Sequence, residues 1–281
     1  MSEIIVVSHF QVRPLIEARE RGADVAQTSL DLGREEVQVR LETDGVRMGT
    51  GIVPWSVLEE IAKSDTACFA IEDGEARKIQ TFSEETGRVY TLYPTAGAPT
   101  MLVSGVPMHR IKGIDPLEDT RRKRRAIAPM AGRVLDTATG LGYTAIEAAR
   151  TASSVLTVEL DPAAQLIAKA NPWSRELFED ERIERRIGDS FDVVRELPDA
   201  SFDRVIHDPP MFSLAGELYS LAFYRELHRV TAPGGRLFHY VGDPESRSGA
   251  RVTRGVLRRL EEAGFRDLRR RPEAFGVSAA N

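Results

Sequence analysis

The sequence predicts an α/β protein with a mostly parallel sheet, preceded by a mainly β domain. Three observations carry this. The stretch from Arg133 to Arg150 reads as a short apolar strand ending on Asp136. A small turn with glycines follows, then a helix carrying Ala145, Ile146, Ala148 and Ala149. Behind it, further apolar strands alternate with helical patterns, and several end on an acidic residue. The first 116 residues lack that rhythm and read as short strands divided by tight turns. The expected domains are 1–116 and 117–281.

A chain of 281 residues can bury a large core and fits one or two domains. It is 42% hydrophobic and 29% charged, the balance of a soluble globular protein. No apolar run approaches the roughly 20 residues needed to span a bilayer, so no membrane partner is expected. The start has an apolar run, Ile4 to Val7, without a basic lead or a cleavage signal, and Met1 to Phe10 therefore reads as a strand. Cys68 is the only cysteine, which excludes an intrachain disulfide and a multi-cysteine metal site and favours a reducing cytoplasm. His9, His109 and Cys68 are too scattered to suggest a metal centre. The net charge of −5 is uneven: residues 1–115 hold 12 basic and 18 acidic side chains, and the remainder 26 and 25. A global field for nucleic acid is absent, leaving only local basic patches.

In the front half, Glu36 to Glu42 alternates polar and apolar residues, and Asp44-Gly45 turns it into Val46-Arg47-Met48. Pro54 opens a short helix with Val57, Leu58 and Ile61 at helical spacing. Ala67 to Ile71, Arg77 to Gln80, Val89 to Tyr93 and Met101 to Val103 complete about six strands of a small antiparallel sheet or partial barrel. No recognisable chemistry sits here, so the domain is assigned to substrate selection or homodimer formation. At the joint, Pro116 starts a helix through Ile127 that carries Arg121-Arg122-Lys123-Arg124-Arg125, read as a solvated face or a phosphate-contacting patch.

The second half carries the chemistry. A strand, a small turn and a helix let backbone N–H groups approach a nucleotide-like ligand beyond the strand's carboxyl end. Here the turn runs Asp136-x-Ala138-x-Gly140-x-Gly142. It resembles motif I of the class I S-adenosylmethionine (SAM) methyltransferases, with Ala138 in place of a glycine. The next strand, Val155 to Glu159, ends on an acidic residue 23 positions after Asp136, where a carboxylate can bind both ribose hydroxyls. Ile183 to Ile187 leads to Gly188-Asp189-Ser190-Phe191. By the same resemblance Asp189 receives the adenine amino group, and Phe191 packs beside the ring.

The fourth strand, Phe202 to His207, runs into Asp208-Pro209-Pro210-Met211-Phe212. This resembles the D/N-P-P-Y/F motif of amino-directed methyltransferases, with the aromatic one place late, as in some ribosomal RNA methyltransferases. The resemblance assigns catalysis to Asp208, Pro209 and Phe212. Asp208 and the Pro209 carbonyl accept the two amine hydrogens and hold the lone pair in line, while Phe212 stacks on a planar acceptor. His207 is read as a buried structural residue, or as one that orients Asp208 or acts as a base.

Pro233-Gly234-Gly235 before Arg236 to Val241, a helix from Arg251 to Ala263 and a final hairpin through Phe275 to Ala279 complete a seven-stranded pattern. The motifs imply a Rossmann-like class I methyltransferase fold with SAM as cofactor. The run from His207 to Ser220, with Ala170 to Ser174, resembles a group of predicted, largely archaeal methyltransferases. The primary expectation is methyl transfer to an amino nitrogen of an RNA base or small molecule. Transfer to cytosine carbon-5 is disfavoured, because it needs a cysteine nucleophile and Cys68 lies in the other domain. An aminopropyltransferase of the spermidine synthase type is the alternative, supported by Glu217 to Tyr224 and opposed by the D-P-P strand end. A non-catalytic SAM- or RNA-binding module is the third reading.

Overall fold

The computed structural model describes residues 4–210 and 216–281. The front elements are β1 (Ile5–Val7), α1 (His9–Glu20), β2 (Val25–Thr28), β3 (Val37–Leu41), β4 (Gly45–Met48), β5 (Gly51–Pro54), α2 (Trp55–Ala62), β6 (Phe69–Glu72), β7 (Glu75–Lys78), β8 (Gln80–Ser83), β9 (Arg88–Tyr93), β10 (Thr100–Val103) and β11 (Val106–Pro107). They pair as three antiparallel sheets, ordered β1-β6-β7, β2-β3-β4-β5 and β11-β10-β9-β8. The region is β-rich as expected, but as three sheets rather than one.

The expected opening strand stops at Val7. Ser8 then caps α1: its hydroxyl accepts from the Phe10 N–H (3.3 Å), and Gln11 Oε1 accepts from the Ser8 N–H (3.0 Å). Val12, Leu15 and Ala18 form the buried face of α1. Val12 and Leu15 share one core with Trp55, Leu58 and Ile61 of α2 and with Val46 and Val53.

The remaining elements are α3 (Pro116–Arg125), β12 (Arg133–Asp136), α4 (Tyr143–Ala149), β13 (Ser154–Glu159), α5 (Pro162–Ala170), α6 (Arg175–Glu179), β14 (Ile183–Ile187), α7 (Ser190–Glu196), β15 (Phe202–His207), α8 (Leu221–Val230), β16 (Thr231–Tyr240), α9 (Arg247–Glu262), β17 (Arg266–Arg271) and β18 (Gly276–Ala280). The strands form one seven-stranded sheet ordered β14-β13-β12-β15-β16-β18-β17. Only β18 runs against its neighbours. The fold is thus α/β and Rossmann-like.

The core of this sheet explains its strands. Leu135, Val205 and Leu237 come from three adjacent strands and pack with Phe223, Tyr224 and Leu227 of α8 and Val256 and Leu260 of α9. Each such side chain contributes about 1.5–3 kcal/mol on burial. Strands covered on both faces need the near-continuous apolar runs seen here.

Contacts divide the chain into two units, Met1–Pro116 with Ala163–Arg175, and Leu117–Pro162 with Glu176–Asn281. Within the first, the Trp173 indole N–H donates to the Leu32 carbonyl at 3.1 Å, and the Arg34 guanidinium donates to the Pro172 carbonyl.

Candidate active site

The site is assembled at the carboxyl ends of β12, β13, β14 and β15, all within the second unit. Asp136 closes β12 and is fully buried. Its Oδ2 accepts from the hydroxyls of Thr144 (2.9 Å) and Thr157 (3.0 Å), and its Oδ1 from the Ala138 N–H (3.4 Å). Burial pushes this carboxyl up to about 7 against the pull of the two threonines. Asp136 therefore braces the turn from inside. Ala138 lies half-buried on that turn.

Gly140 and Gly142 supply the turn's backbone, with φ of 53° and 78°. A Cβ on Gly140 would meet no heavy atom within 4 Å, so the turn's surface is open there. A Cβ on Gly142 would lie 2.6 Å from Leu177 Cδ2, so only glycine fits beneath the start of α4.

Glu159 closes β13. Its Oε2 accepts from the Gly140 N–H (2.8 Å) and its Oε1 from the Asp161 N–H (3.2 Å). Burial raises this carboxyl above its ordinary range, and the backbone donors oppose the rise. Asp189 follows β14, is exposed, and caps α7 by accepting from the Phe191 N–H at 2.7 Å. The half-buried Phe191 ring stacks on Phe223 with centroids 5.6 Å apart. The neighbouring Ser190 hydroxyl donates to the Thr137 carbonyl (2.6 Å), which draws the end of β14 onto the turn after β12.

His207 ends β15 and is fully buried. Its Nε2 lies 2.9 Å from the Leu218 carbonyl, which can only accept, so Nε2 carries the hydrogen. Its Nδ1 then accepts from the Thr137 hydroxyl at 2.7 Å. Burial lowers its pKa to about 3, and the ring is neutral. Both nitrogens are thus spent on structure, neither on Asp208.

Asp208 meets a partner that sequence reasoning missed. Lys123 Nζ donates to Asp208 Oδ2 at 2.6 Å and pairs with Asp119 at 3.0 Å, with the Lys123 side chain 2% exposed. The ammonium also lies over the Tyr240 ring, 4.7 Å from its centroid. Burial works to discharge Lys123, but Asp208 and Asp119 outweigh it and hold its pKa above the ordinary lysine value. Burial pushes the Asp208 carboxyl up, opposed by that same lysine. A signal was present: Pro116, Asp119, Thr120, Lys123 and Ile127 recur at helical spacing, and all are buried.

Pro209 is buried, and the Pro210 carbonyl accepts from the Tyr219 hydroxyl at 3.2 Å. Met211 and Phe212 lie outside the described residues. Among the described residues, no group of three or more His, Cys, Asp or Glu could share a metal ion.

A family model described as "Conserved hypothetical protein 95" matches residues 125–220. The chain is 43% identical over 257 residues to "Uncharacterized protein MJ1233" of Methanocaldococcus jannaschii, covering 89% of this chain and 88% of that one. It is 36% identical over 99 residues to polyamine aminopropyltransferase 2 of Streptomyces coelicolor, 33% of this chain and 18% of the relative. Two solved structures share the fold. One is a spermidine synthase in complex with the transition-state analogue AdoDATO, with TM-score 0.58 and 20% identity over 72% of each chain. The other is MnmC2 of Aquifex aeolicus, with TM-score 0.51 and 19% identity over 71% of this chain and 72% of that one. The chain belongs to the same family as MJ1233, and its fold is that of the spermidine synthase and MnmC2 structures.

Proposed function

We propose that this protein is a SAM-dependent methyltransferase acting on an amino nitrogen of an RNA base or a small molecule. The observation that carries this reading is Asp208. It is a carboxylate on a rigid Pro209-Pro210 turn at the end of β15, beside the turn of Gly140 and Gly142, with one oxygen secured by Lys123.

The residues fit the cofactor. The surface over Gly140 is open, Glu159 offers its carboxylate to the ribose hydroxyls, and exposed Asp189 offers an acceptor to the adenine amino group. Bound SAM would supply a methyl group already activated by a sulfonium. The chain's own task is then positional. Asp208 and the Pro209 carbonyl take the two amine hydrogens and aim the nitrogen lone pair, and Asp208 or water accepts the proton released afterwards.

The test is incubation with methyl-labelled SAM and a panel of amines and RNAs, for the wild type and Asp208→Ala. Transfer of label that disappears in the variant supports the reading. Equal transfer by both proteins removes Asp208 from catalysis.

A second reading has a specific observation behind it: the identity shared with the Streptomyces aminopropyltransferase. In that reading the same pocket holds decarboxylated SAM. Transfer of an aminopropyl group from labelled decarboxylated SAM, without methyl transfer from SAM, would establish it.

A further inference from the structure

The basic run on α3 sends one member inward. Arg121 and Arg125 are exposed, whereas Lys123 is buried with Asp119 and Thr120. The chain uses arginine almost everywhere, 33 times against 5 lysines, so a lysine in the middle of an arginine run stands out. The local geometry suits it. A compact ammonium fits between two carboxylates 2.6 and 3.0 Å away, whereas the planar fork of an arginine is longer and would push Asp208 aside.

Among the described residues, Asp208 Oδ2 is occupied by Lys123 and Oδ1 makes no hydrogen bond. The side chain keeps 16% of its surface exposed. The ionisable groups around it are Lys123 and Asp119 from α3, Tyr240 from β16, Tyr219 from the turn before α8, and Asp136 from β12. All but Lys123 are acids, so nothing else in that set favours an ionised Asp208.

The charge state decides what Asp208 can do. As a carboxylate it accepts an N–H and leaves the amine lone pair free. As a carboxylic acid it donates to that lone pair and blocks the electrons that transfer requires. We infer that Lys123 is the positioning residue of the acceptor site: it keeps Asp208 ionised with Oδ2 occupied, so that Oδ1 alone receives one amine hydrogen. The second hydrogen goes to the Pro209 carbonyl, and Asp119 keeps the ammonium in place. This rests on the amine reading above, and it specifies an acceptor presented to the carboxylate through a single N–H.

The test is a pH titration of the Asp208 side-chain carboxyl by carbon-13 NMR in the full chain, with the resonance assigned by its loss in Asp208→Asn. In Lys123→Met the titration midpoint should rise by about one pH unit or more, because burial then acts unopposed. Lys123→Arg should return part of that rise. Asp119→Asn covers the case in which Lys123→Met does not fold. It frees the ammonium for Asp208, and the midpoint should fall. An unmoved midpoint in a folded Lys123→Met, or a rise in Asp119→Asn, overturns the assignment. The titration needs no substrate. Failure of methyl transfer on every amine would therefore strike the functional reading alone.

Discussion

The Thr137 hydroxyl and His207 Nδ1 are joined by a 2.7 Å hydrogen bond, and His207 Nε2 passes the link to the Leu218 carbonyl. One neutral imidazole thus connects the turn after β12, where the donor motif sits, to the segment that leads out of the Asp208-Pro209-Pro210 turn.

That imidazole predicts a pH dependence of stability. Its folded pKa is about 3, below the unfolded value near 6.5. Above pH 6.5 neither state binds the proton and His207 has no effect. Below it only the unfolded chain takes the proton, so stability falls by up to about 1.4 kcal/mol per pH unit as pH drops toward 3. Denaturant unfolding of wild type and His207→Gln at pH 7 and pH 5 should show about 2 kcal/mol more acid loss in the wild type.

The two turn glycines should behave differently. Gly142→Ala forces a left-handed alanine against buried Leu177 and should cost about 2–4 kcal/mol. Gly140→Ala meets open space and should cost only about 1 kcal/mol for its backbone, while narrowing the surface offered to the donor. Melting curves and donor titrations of the two variants check both statements.

Thr157 is buried between Asp136 and Thr139. Thr157→Val keeps the shape and deletes a donor to a buried carboxylate. A loss of about 1–3 kcal/mol in denaturant unfolding is expected.

Glu159→Gln keeps the volume and removes the charge that would strengthen hydrogen bonds from ribose hydroxyls. Donor affinity should fall about 10- to 100-fold by calorimetry, with the fold intact by circular dichroism. Asp208→Ala should lower turnover by about 10²-fold or more while leaving donor affinity within about threefold.

The sheet from β12 to β16 was legible because its strands are apolar runs that meet acidic or turn residues at their ends. Asp136, Glu159 and Asp208 therefore stood out. In the front domain the β character and the helix after Pro54 were legible, but the division into three sheets was not, because strands two to six residues long carry too little pattern to fix their partners. α1 stayed hidden because Pro14 and charged residues interrupt its apolar spacing of Val12, Leu15 and Ala18. Lys123 was missed for a different reason. A run of five basic residues reads as a solvated face, and only the helical spacing to Asp119 marks the member that turns inward.

The most direct measurement is calorimetric titration of the purified chain with SAM, S-adenosylhomocysteine and decarboxylated SAM. The first two should bind at micromolar concentrations or tighter, and the decarboxylated form at least about tenfold more weakly. Preference for decarboxylated SAM, or no binding of any of the three, would contradict the proposed function.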